Sequence, residues 1–452
     1  MVVQKFGGTS VADPDAIRRL IEIVRTARVR DGRGPALVVS AMSGVTDALL
    51  KIASDAGASR LADALAGIAH IRARYVAAID ALVSAQDRPA LTAQIDEHLD
   101  QVQAILETLA ALGEVSPRAL DAVAATGELL SSRLVAAALV GAGLPGEWVD
   151  ARRVIVTSDE HTRAIPLSNE TNDALRASVG SLVDAGKVPV LGGFVGATPD
   201  GHTTTLGRGG SDYSGALVGA GIGAREIQIW TDVDGMLTAD PRVVPHPRLV
   251  PRLSFAEAAE LAYFGAKVLH PSAIRPAVEH DIPVRILNSR KPDGTGTVIT
   301  AVGAADAPPV TAFACKRDVT VIDITSTRML MAYGFLRQVF EVFEKFRTAV
   351  DVVTTSEVSV SVTVDDRRHL DAIVEALKVF AEVSVEPEMA LVCAVGDRLR
   401  AEPAIGARVV SVLEEVPLRM ISQAASRRNI TVIMRQSDLP HAIERLHQEF
   451  FG

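Results

Sequence analysis

The chain has 452 residues, of which 48% are hydrophobic and only 4% aromatic. At roughly 150 residues per domain, this length suggests about three domains with cores of Ala, Val, Leu and Ile. Lys and Arg total 46 against 55 for Asp and Glu, and the net charge of −9 argues against a globally basic surface for nucleic acid. Two cysteines cannot form a disulfide framework or a four-cysteine zinc site, which favours a reducing cytoplasm. A signal peptide is not expected, because the N-terminus has no long apolar h-region, and a membrane-spanning helix is not expected, because no uninterrupted apolar run reaches about 18 residues.

The first half of the chain alternates between strand and helix patterns. A strand is predicted at 1–6, a helix beginning with Pro at 14–29, and a strand at 36–41. The Ala-rich stretch 58–112 has a helical period and predicts a helical hairpin inserted between strands. Further strands are predicted at 188–194, 226–231 and 284–287. This alternation predicts an α/β domain over 1–295, with a mostly parallel sheet covered by helices on both faces.

The second half has shorter predicted strands and an internal repeat. Residues 296–310, rich in Gly, Ala and Pro, are predicted to be a linker. Two βαββαβ-like units then follow in tandem. We assign the first to 311–385 together with 438–452, and the second to 386–437.

Several nucleotide-binding and catalytic motifs are absent from the sequence. It contains no G-x-x-x-x-G-K-[ST], no H-R-D or D-F-G and no H-E-x-x-H, which argues against a P-loop kinase, a protein kinase and a zinc hydrolase. Matches to G-x-G-x-x-G/A begin at Gly141 and Gly219, but both follow helix patterns and precede strand patterns. A dinucleotide-binding fingerprint needs the opposite order, so we reject a NAD-dependent oxidoreductase.

Two glycine-rich segments indicate anion binding. At 5–8 (KFGG), a lysine leaves the first strand and two glycines let backbone N–H groups approach an anion, although a tight turn with a solvated lysine fits as well. At 207–211 (GRGGS), the glycines precede a helix whose free N–H groups bind anions, and Arg208 can clamp a carboxylate. A flexible linker would rarely place Arg and Asp so regularly before a helix, so we favour an anion site there.

Two later segments indicate contacts with a nucleotide. The segment 231–242 (TDVDGMLTADPR) follows a strand, where open α/β sheets bind ligands, and its carboxylates and Arg242 can reach a nucleotide and its Mg²⁺. An Asx-rich surface loop is the alternative. In 264–271 (FGAKVLHP), Lys267 lies near a helix start and suits a phosphate, although taken alone it is better explained as a solvated lysine.

In this order, KFGGTSV, GRGGSDYS, TDVDGMLTADPR and FGAKVLHP resemble the aspartate kinase (aspartokinase) family, and the resemblance covers essentially the whole chain. It implies an amino-acid-kinase-like three-layer fold with a mostly parallel sheet, followed by two α+β ACT-like domains. In that fold, 1–215 would form the aspartate lobe and 216–295 the ATP lobe. The blocks at 334–336 (GFL) and 350–357 (VDVVTTSE) are most similar to the lysine-sensitive, monofunctional group.

The resemblance also implies roles for individual residues. Lys5, Arg208 and Asp212 would be catalytic: Lys5 would stabilise charge on the transferred phosphoryl group, and Asp212 would orient Lys5 or the metal. Glu128 would bind the α-ammonium group of aspartate. The residues implied in aspartate binding are Ser40, Thr46, Glu128, Phe194, Arg208, Gly209, Gly210 and Ser211. Those implied in ATP binding are Lys5, Gly7, Gly8, Thr231, Asp232, Leu237, Arg242, Lys267 and Val268. Leu237 stands where the family often has an aromatic residue.

A regulatory site is implied in the first ACT-like unit, with lysine as the favoured effector. The helix N-terminus at Gly334 suits its carboxylate, and Asp351 and Glu357 suit its two ammonium groups. The residues implied are Met329, Ala332, Phe335, Leu336, Ala349, Val350, Asp351, Ser356 and Glu357. Because Ala332 stands where Ser is common, we expect a weakened lysine response or a different effector. The exposed sheet edges of ACT-like units predict a homodimer, with a tetramer as the alternative.

The implied reaction transfers the γ-phosphoryl group of MgATP to the β-carboxylate of L-aspartate, as the first step towards lysine, threonine and methionine. That carboxylate has an ordinary pKa of about 3.9 and needs no general base. Mg²⁺ would enter with ATP, without a direct protein ligand. One alternative is a glutamate or acetylglutamate kinase, against which the ACT-like units, Glu128 and Arg208 argue. The other is a non-catalytic amino-acid sensor, which would not need the phosphate-binding set of Lys5, Arg208, Asp212 and Lys267.

Overall fold

The structure is a computed structural model, and it describes residues 1–265, 269, 271–304, 306–326, 333–399, 401–423 and 426–452. The chain forms two compact units. Unit 1 consists of Met1–Met236, Pro251–Phe255 and Val268–Val302, and unit 2 of Leu237–Val250, Ala256–Lys267 and Gly303–Gly452. The predicted ATP lobe is therefore divided between the two units.

Unit 1 is built from short strands that alternate with helices. Its strands are β1 (Val2–Phe6), β2 (Ala36–Val39), β3 (Gly146–Val149), β4 (Val188–Gly192), β5 (Val195–Ala197), β6 (Thr203–Thr205), β7 (Glu226–Thr231), β8 (Arg252–Ser254), β9 (Val284–Asn288) and β10 (Thr297–Thr300). The helices up to residue 279 are α1 (Pro14–Asp31), α2 (Val45–Gly57), α3 (Leu61–Leu82), α4 (Arg88–Leu112), α5 (Pro117–Ala124), α6 (Thr126–Gly141), α7 (Ser168–Leu175), α8 (Ser181–Asp184), α9 (Gly210–Gly221), α10 (Phe255–Tyr263) and α11 (Arg275–Glu279). Of these, α10 begins in unit 1 and continues in unit 2.

Eight strands of unit 1 form one sheet in the order β3-β4-β2-β1-β7-β9-β10-β8. Neighbouring strands are parallel except for β9 and β10. The strands β5 and β6 form a separate antiparallel hairpin. The predicted mostly parallel α/β sheet is confirmed. The predicted linker at 296–310 is wrong in its first part, because Thr297–Thr300 pair with both β8 and β9.

The core of unit 1 lies between the sheet and the helices around it. The strands β1, β2 and β4 are buried along their whole length, as expected for parallel strands covered on both faces. The predicted helical hairpin at 58–112 is confirmed as α3 and α4, whose apolar faces pack into the same core. One helical stretch, Pro117–Gly141, is long and apolar enough to cross a membrane, but 83% of its most apolar window is buried inside the protein.

Unit 2 contains an antiparallel sheet with helices packed on it. Its strands are β11 (Ala312–Thr325), β12 (Val353–Thr355), β13 (Ser359–Val364), β14 (Glu382–Val395), β15 (Met420–Gln423) and β16 (Asn429–Arg435). Its further helices are α12 (Phe335–Lys345), α13 (Leu370–Lys378), α14 (Ile405–Val412) and α15 (Leu439–Phe451). The six strands form one sheet in the order β12-β13-β11-β14-β16-β15.

Two apolar clusters divide the helices of unit 2. One cluster contains residues of α12, α13 and β13, including Phe343 and Leu377. The other contains residues of α14, α15 and β16, including Val409 and Ile443. The C-terminal helix therefore packs with the second repeat, whereas the repeat pattern places 438–452 with the first. Phe450 and Phe451 at the end of α15 also contact Phe313 in the first residues of β11, a strand of the sheet that both repeats share.

Candidate active site

A lysine and an aspartate meet where β1 approaches the N-terminus of α9. Lys5 Nζ lies 2.7 Å from Asp212 Oδ1, and the two side chains are only 10% and 15% exposed. Asp212 lies in the first turn of α9, where a carboxylate is stabilised by the helix dipole. The helix comes so close to the strand that a Cβ added at Gly215 would lie 3.2 Å from Lys5 Cβ. A glycine at 215 thus makes room for the ion pair.

The glycine loop 207–210 turns the chain from β6 into α9. Gly207 and Gly209 both have φ of +73°, a conformation that favours glycine. A Cβ added at Gly210 would lie 2.6 Å from the Phe194 ring, so this position has no room for a larger side chain. The loop therefore brings its backbone close to neighbouring side chains, as a backbone that binds an anion must do.

Glu128 is a buried carboxylate in the first turn of α6. It is 3% exposed, and among the described residues its Oε2 has no hydrogen-bond partner. Burial raises the pKa of the Glu128 carboxyl to about 8, although backbone N–H groups and the charge of Lys5 act in the opposite direction. A buried acceptor without a partner is costly, so this group is ready to bind a cationic ligand.

Phe194 is held in a strained backbone conformation beside Ser211. Its φ is +65°, which is uncommon for a bulky residue, and its N–H donates to Ser214 Oγ at 2.9 Å. The preceding Gly193 packs so closely that an added Cβ would lie 2.8 Å from Ser211 Cβ. Such strain persists only where surrounding structure enforces it, and it is typical of ligand sites.

Most of these residues line one cavity with a volume of about 280 Å³. Its lining residues are Lys5, Ser40, Thr46, Glu128, Phe194, Gly207, Gly209, Gly210, Ser211 and Asp212. A second cavity of about 430 Å³ shares Ser40, Thr46, Glu128 and Ser211 with the first. It extends to Gly7, Gly8, Thr9, Ala41, Met42, Ser43, Gly44, Asp47, Thr231 and Asp232. We call them the inner and the outer cavity.

The structure brings most of the predicted aspartate-binding residues together in the inner cavity, and it places Gly7, Gly8, Thr231 and Asp232 at the outer one. Arg208 is exposed in the glycine loop and lies outside the described lining of both cavities.

The other predicted ATP-binding residues cannot be assigned to these cavities. Leu237 and Arg242 belong to unit 2. There Arg242 Nη2 pairs with Asp240 Oδ2 at 2.6 Å. Lys267 and Val268 lie outside the described residues. The roles of these four residues therefore stay predictions.

The predicted effector residues lie in unit 2, apart from Met329 and Ala332, which are outside the described residues. Phe335 is buried in the first apolar cluster, whereas Leu336 is 42% exposed. Ala349, Ser356 and Glu357 are exposed, and Val350 is half-buried. The Asp351 side chain is only 4% exposed, and Lys316 Nζ lies 2.9 Å from its Oδ1. The acceptor predicted for the effector thus has a cationic partner within the chain.

Sequence reasoning missed several cavity residues. Thr9, Ala41, Met42, Ser43, Gly44 and Asp47 were not predicted, and Gly207 was predicted only as part of the anion-binding segment 207–211. The useful signal was the turn after β2, because the carboxyl ends of parallel strands gather at one edge of the sheet. Among the described residues, no group of three or more His, Cys, Asp or Glu side chains could hold a metal ion.

Comparison with known proteins decides the family. A profile of the amino acid kinase family matches residues 1–288, and an ACT domain profile matches residues 392–450. Aspartokinase 3, chloroplastic, of Arabidopsis thaliana is 38% identical over 465 residues, covering 99% of this chain and 81% of that protein. This chain belongs to the aspartokinase family. Lysine-sensitive aspartokinase 3 of Escherichia coli is 35% identical over 460 residues, covering 100% of this chain and 99% of that protein.

A solved aspartokinase has the same architecture. The structure of E. coli aspartokinase III in complex with aspartate and ADP has a TM-score of 0.85 at 34% identity, with both chains fully covered. The chain is therefore an enzyme of the aspartate kinase class that carries ACT regulation. Because the Arabidopsis aspartokinases are named as chloroplastic, the cytoplasmic location inferred from composition stays a prediction.

Proposed function

We propose that this member of the aspartokinase family transfers the γ-phosphoryl group of ATP to the β-carboxylate of L-aspartate, giving 4-phospho-L-aspartate for lysine, threonine and methionine synthesis. The observation that carries the proposal is the inner cavity, which gathers a lysine, two carboxylates and a glycine loop. E. coli aspartokinase III, which is similar over the full length, has been solved with aspartate and ADP bound.

Aspartate would bind through both ends of its molecule. Its α-ammonium group suits Glu128, because a cation beside this buried carboxyl would favour the ionised form and supply the missing hydrogen bond. Its carboxylates suit Ser211 and the N–H groups of the glycine loop, together with Arg208, which would reach them from its exposed position. Ser40, Thr46 and Phe194 would complete the pocket.

Phosphoryl transfer would depend on positioning and charge, not on proton removal. The β-carboxylate of aspartate is ionised at neutral pH and attacks the γ-phosphorus directly. The new C–O–P bond forms as the bond from the γ-phosphorus to the bridging oxygen breaks, and ADP leaves. Lys5 would stabilise the charge on the transferring group, and Asp212 would hold the ammonium in place.

ATP would occupy the outer cavity, where Gly7, Gly8, Thr231 and Asp232 lie. We propose that Leu237, Arg242, Lys267 and Val268 complete the nucleotide site. A divalent cation, which we take to be Mg²⁺, enters with ATP and neutralises phosphate charge when bound. It would be held by the phosphates of ATP without a direct protein ligand, and the carboxylates of Asp212 and Asp232, each of which lines a cavity, would orient it.

Regulation would act through unit 2, with lysine as the effector. The related E. coli aspartokinase III has been solved in complex with lysine and aspartate. Lysine bound near Asp351 would share that carboxylate with Lys316, which already pairs with Oδ1, and this supports a weakened response. We further propose a homodimer through the ACT-like units, with a tetramer as the alternative. The division into aspartate lobe, ATP lobe and two ACT-like domains also stays a proposal, with β10 added to the catalytic domain.

A coupled ADP-release assay with hydroxylamine trapping of the acyl phosphate tests the proposal. We expect aspartate-dependent hydroxamate, and none with L-glutamate, N-acetylglutamate or no added acid. The Lys5→Ala protein serves as the blank. Turnover with another acid and not with aspartate would assign the chain to a sister kinase. A folded protein without turnover would favour the sensor.

A further inference from the structure

A buried polar cluster outside the two cavities joins three segments of unit 1. Its centre is Asp121 in α5, which is 1% exposed. The carboxylate accepts hydrogen bonds from Thr205 Oγ1 at 2.5 Å, from His161 Nδ1 at 2.7 Å and from the Thr162 N–H at 3.0 Å. Because a carboxylate offers only acceptors, Nδ1 of His161 must carry the shared hydrogen. The cluster thus ties α5 and the 161–162 segment to the end of β6.

The 161–162 segment adopts a strained conformation to make these contacts. Thr162 has φ of +71°, which is exceptional for a β-branched residue and persists only where neighbouring structure holds it. This conformation directs the Thr162 N–H to Asp121. The Thr162 carbonyl oxygen lies 3.2 Å from where a Cβ on Gly207 would stand, so the strained segment packs directly against the glycine loop.

The tethered strand end leads straight into the wall of the inner cavity. Thr205 is held through its side chain by Asp121 and through its carbonyl by the Ala164 N–H at 2.9 Å. Only Leu206 separates it from Gly207, the first loop residue that lines the inner cavity. Any shift at Thr205 would therefore move the loop and its Arg208.

We propose that Asp121 and His161 are positioning residues, which fix the glycine loop in the conformation that receives the carboxylates of the substrate. Both lie outside the described lining of the cavities, so they act through the loop and not by touching substrate. The inference rests on the proposed function for the identity of that substrate. Because the loop belongs to the inner cavity, losing these contacts should weaken binding of the amino acid more than binding of ATP.

The test compares two substitutions at one position. His161→Ala removes the hydrogen bond to Asp121, and we expect KM for aspartate to rise about tenfold while kcat and KM for ATP change by less than about twofold. His161→Asn places an amide N–H near the position of Nδ1, and we expect it to restore most of the aspartate affinity. The matched control is Glu160→Ala, which removes the neighbouring side chain, 52% exposed, and should change neither KM.

A purely structural role would give a different pattern. It would lower the thermal midpoint and raise both KM values together, without rescue by Asn, and that pattern would overturn the inference. The inference would also be overturned if the wild type is active and His161→Ala has the same KM for aspartate. That result would leave the proposed function intact. Calorimetric titration with L-aspartate distinguishes a failure of the positioning role from a failure of the proposed function. A wild type that neither binds nor phosphorylates aspartate would overturn both.

Discussion

The inner cavity of unit 1 and the predicted effector site of unit 2 each contain a buried carboxylate, and the two carboxylates differ in their partners. Among the described residues, Glu128 has one oxygen without a hydrogen-bond partner and no ion pair. Asp351 is similarly buried, but Lys316 forms an ion pair with it and also lies 3.0 Å from Asp365. The first site offers an incoming ammonium group a carboxyl oxygen that no cationic side chain of the described residues occupies. At the second site Oδ1 of Asp351 is already paired with Lys316, and only Oδ2 has no hydrogen-bond partner among the described residues.

This difference follows from what each site costs without its ligand. A buried, unpartnered carboxyl is destabilising, and here the cost is reduced because the group stays protonated at neutral pH. A buried carboxylate with an internal cation carries less of that cost. A site with an unsatisfied group therefore sacrifices stability for affinity, whereas an internally paired site does the reverse.

The largest effect should come from Lys5, whose ammonium group we place at the transferred phosphoryl group. Lys5→Ala should lower kcat about a thousandfold, because one preorganised donor at developing charge is worth roughly that much. Steady-state kinetics with aspartate and ATP checks this. The control is Lys187→Ala, which removes a lysine with a 45% exposed side chain in the same unit. A near-normal kcat in Lys5→Ala would show that the reaction does not take place in the inner cavity.

Glu128→Gln should act mainly on binding of aspartate. The amide keeps the shape of the side chain but cannot form an ion pair with the α-ammonium group of aspartate. KM for aspartate should therefore rise between about tenfold and a hundredfold. Glu147→Gln, which changes a 46% exposed carboxylate, should have no effect. Equal rises of KM for aspartate and KM for ATP would argue against the ammonium contact.

Lys316→Met tests whether the internal cation weakens binding of lysine at Asp351 in unit 2. Without its internal cation, Asp351 would be left buried and unpaired, which lowers the thermal midpoint. Added lysine should then raise the midpoint more than in the wild type and inhibit at a several-fold lower concentration. Asp351→Asn should abolish both responses. If lysine acts identically on the wild type and on Lys316→Met, the bound lysine and Lys316 do not share the Asp351 carboxylate.

Glu128 should also make the stability of the fold depend on pH. Its pKa is raised from an ordinary value near 4.5 to about 8, so between these values the folded state binds more protons than the unfolded state. The free energy of unfolding should therefore fall as pH rises from about 5 to 8. Denaturant titrations of the wild type and Glu128→Gln at several pH values measure this. The variant should show a weaker fall, and an identical profile would place the titration elsewhere.

The inner cavity was largely predictable because most of its residues lie in glycine motifs or at strand ends. Lys5, Glu128 and Asp212 are far apart in the chain, but the family resemblance assigns all three to one site, and all three line this cavity. The 161–162 segment was not predicted as part of this site. His161 lies 40 residues from Asp121, and no local pattern indicates that the two would meet.

The fold was less predictable where elements are short or shared. The strand β10 has four residues and lies in a stretch rich in Gly and Pro, so composition suggested a linker. The pairing of Lys316 with Asp351 also escaped prediction, because Lys316 lies inside β11 and Asp351 lies before β12, 35 residues later in the chain. The packing of α15 against the second repeat depends on complementary apolar faces, which a repeat count cannot reveal.

The strands β11 and β14 have 14 residues each and pair with one another along nearly their whole length. Each contributes side chains both to the half of unit 2 around α12 and α13 and to the half around α14 and α15. Neither half could be excised without cutting hydrogen bonds that belong to the other. Unit 2 should therefore unfold in one cooperative step. A ligand that binds to one half would also raise the free energy of local unfolding in the other half, because the two halves share these strands.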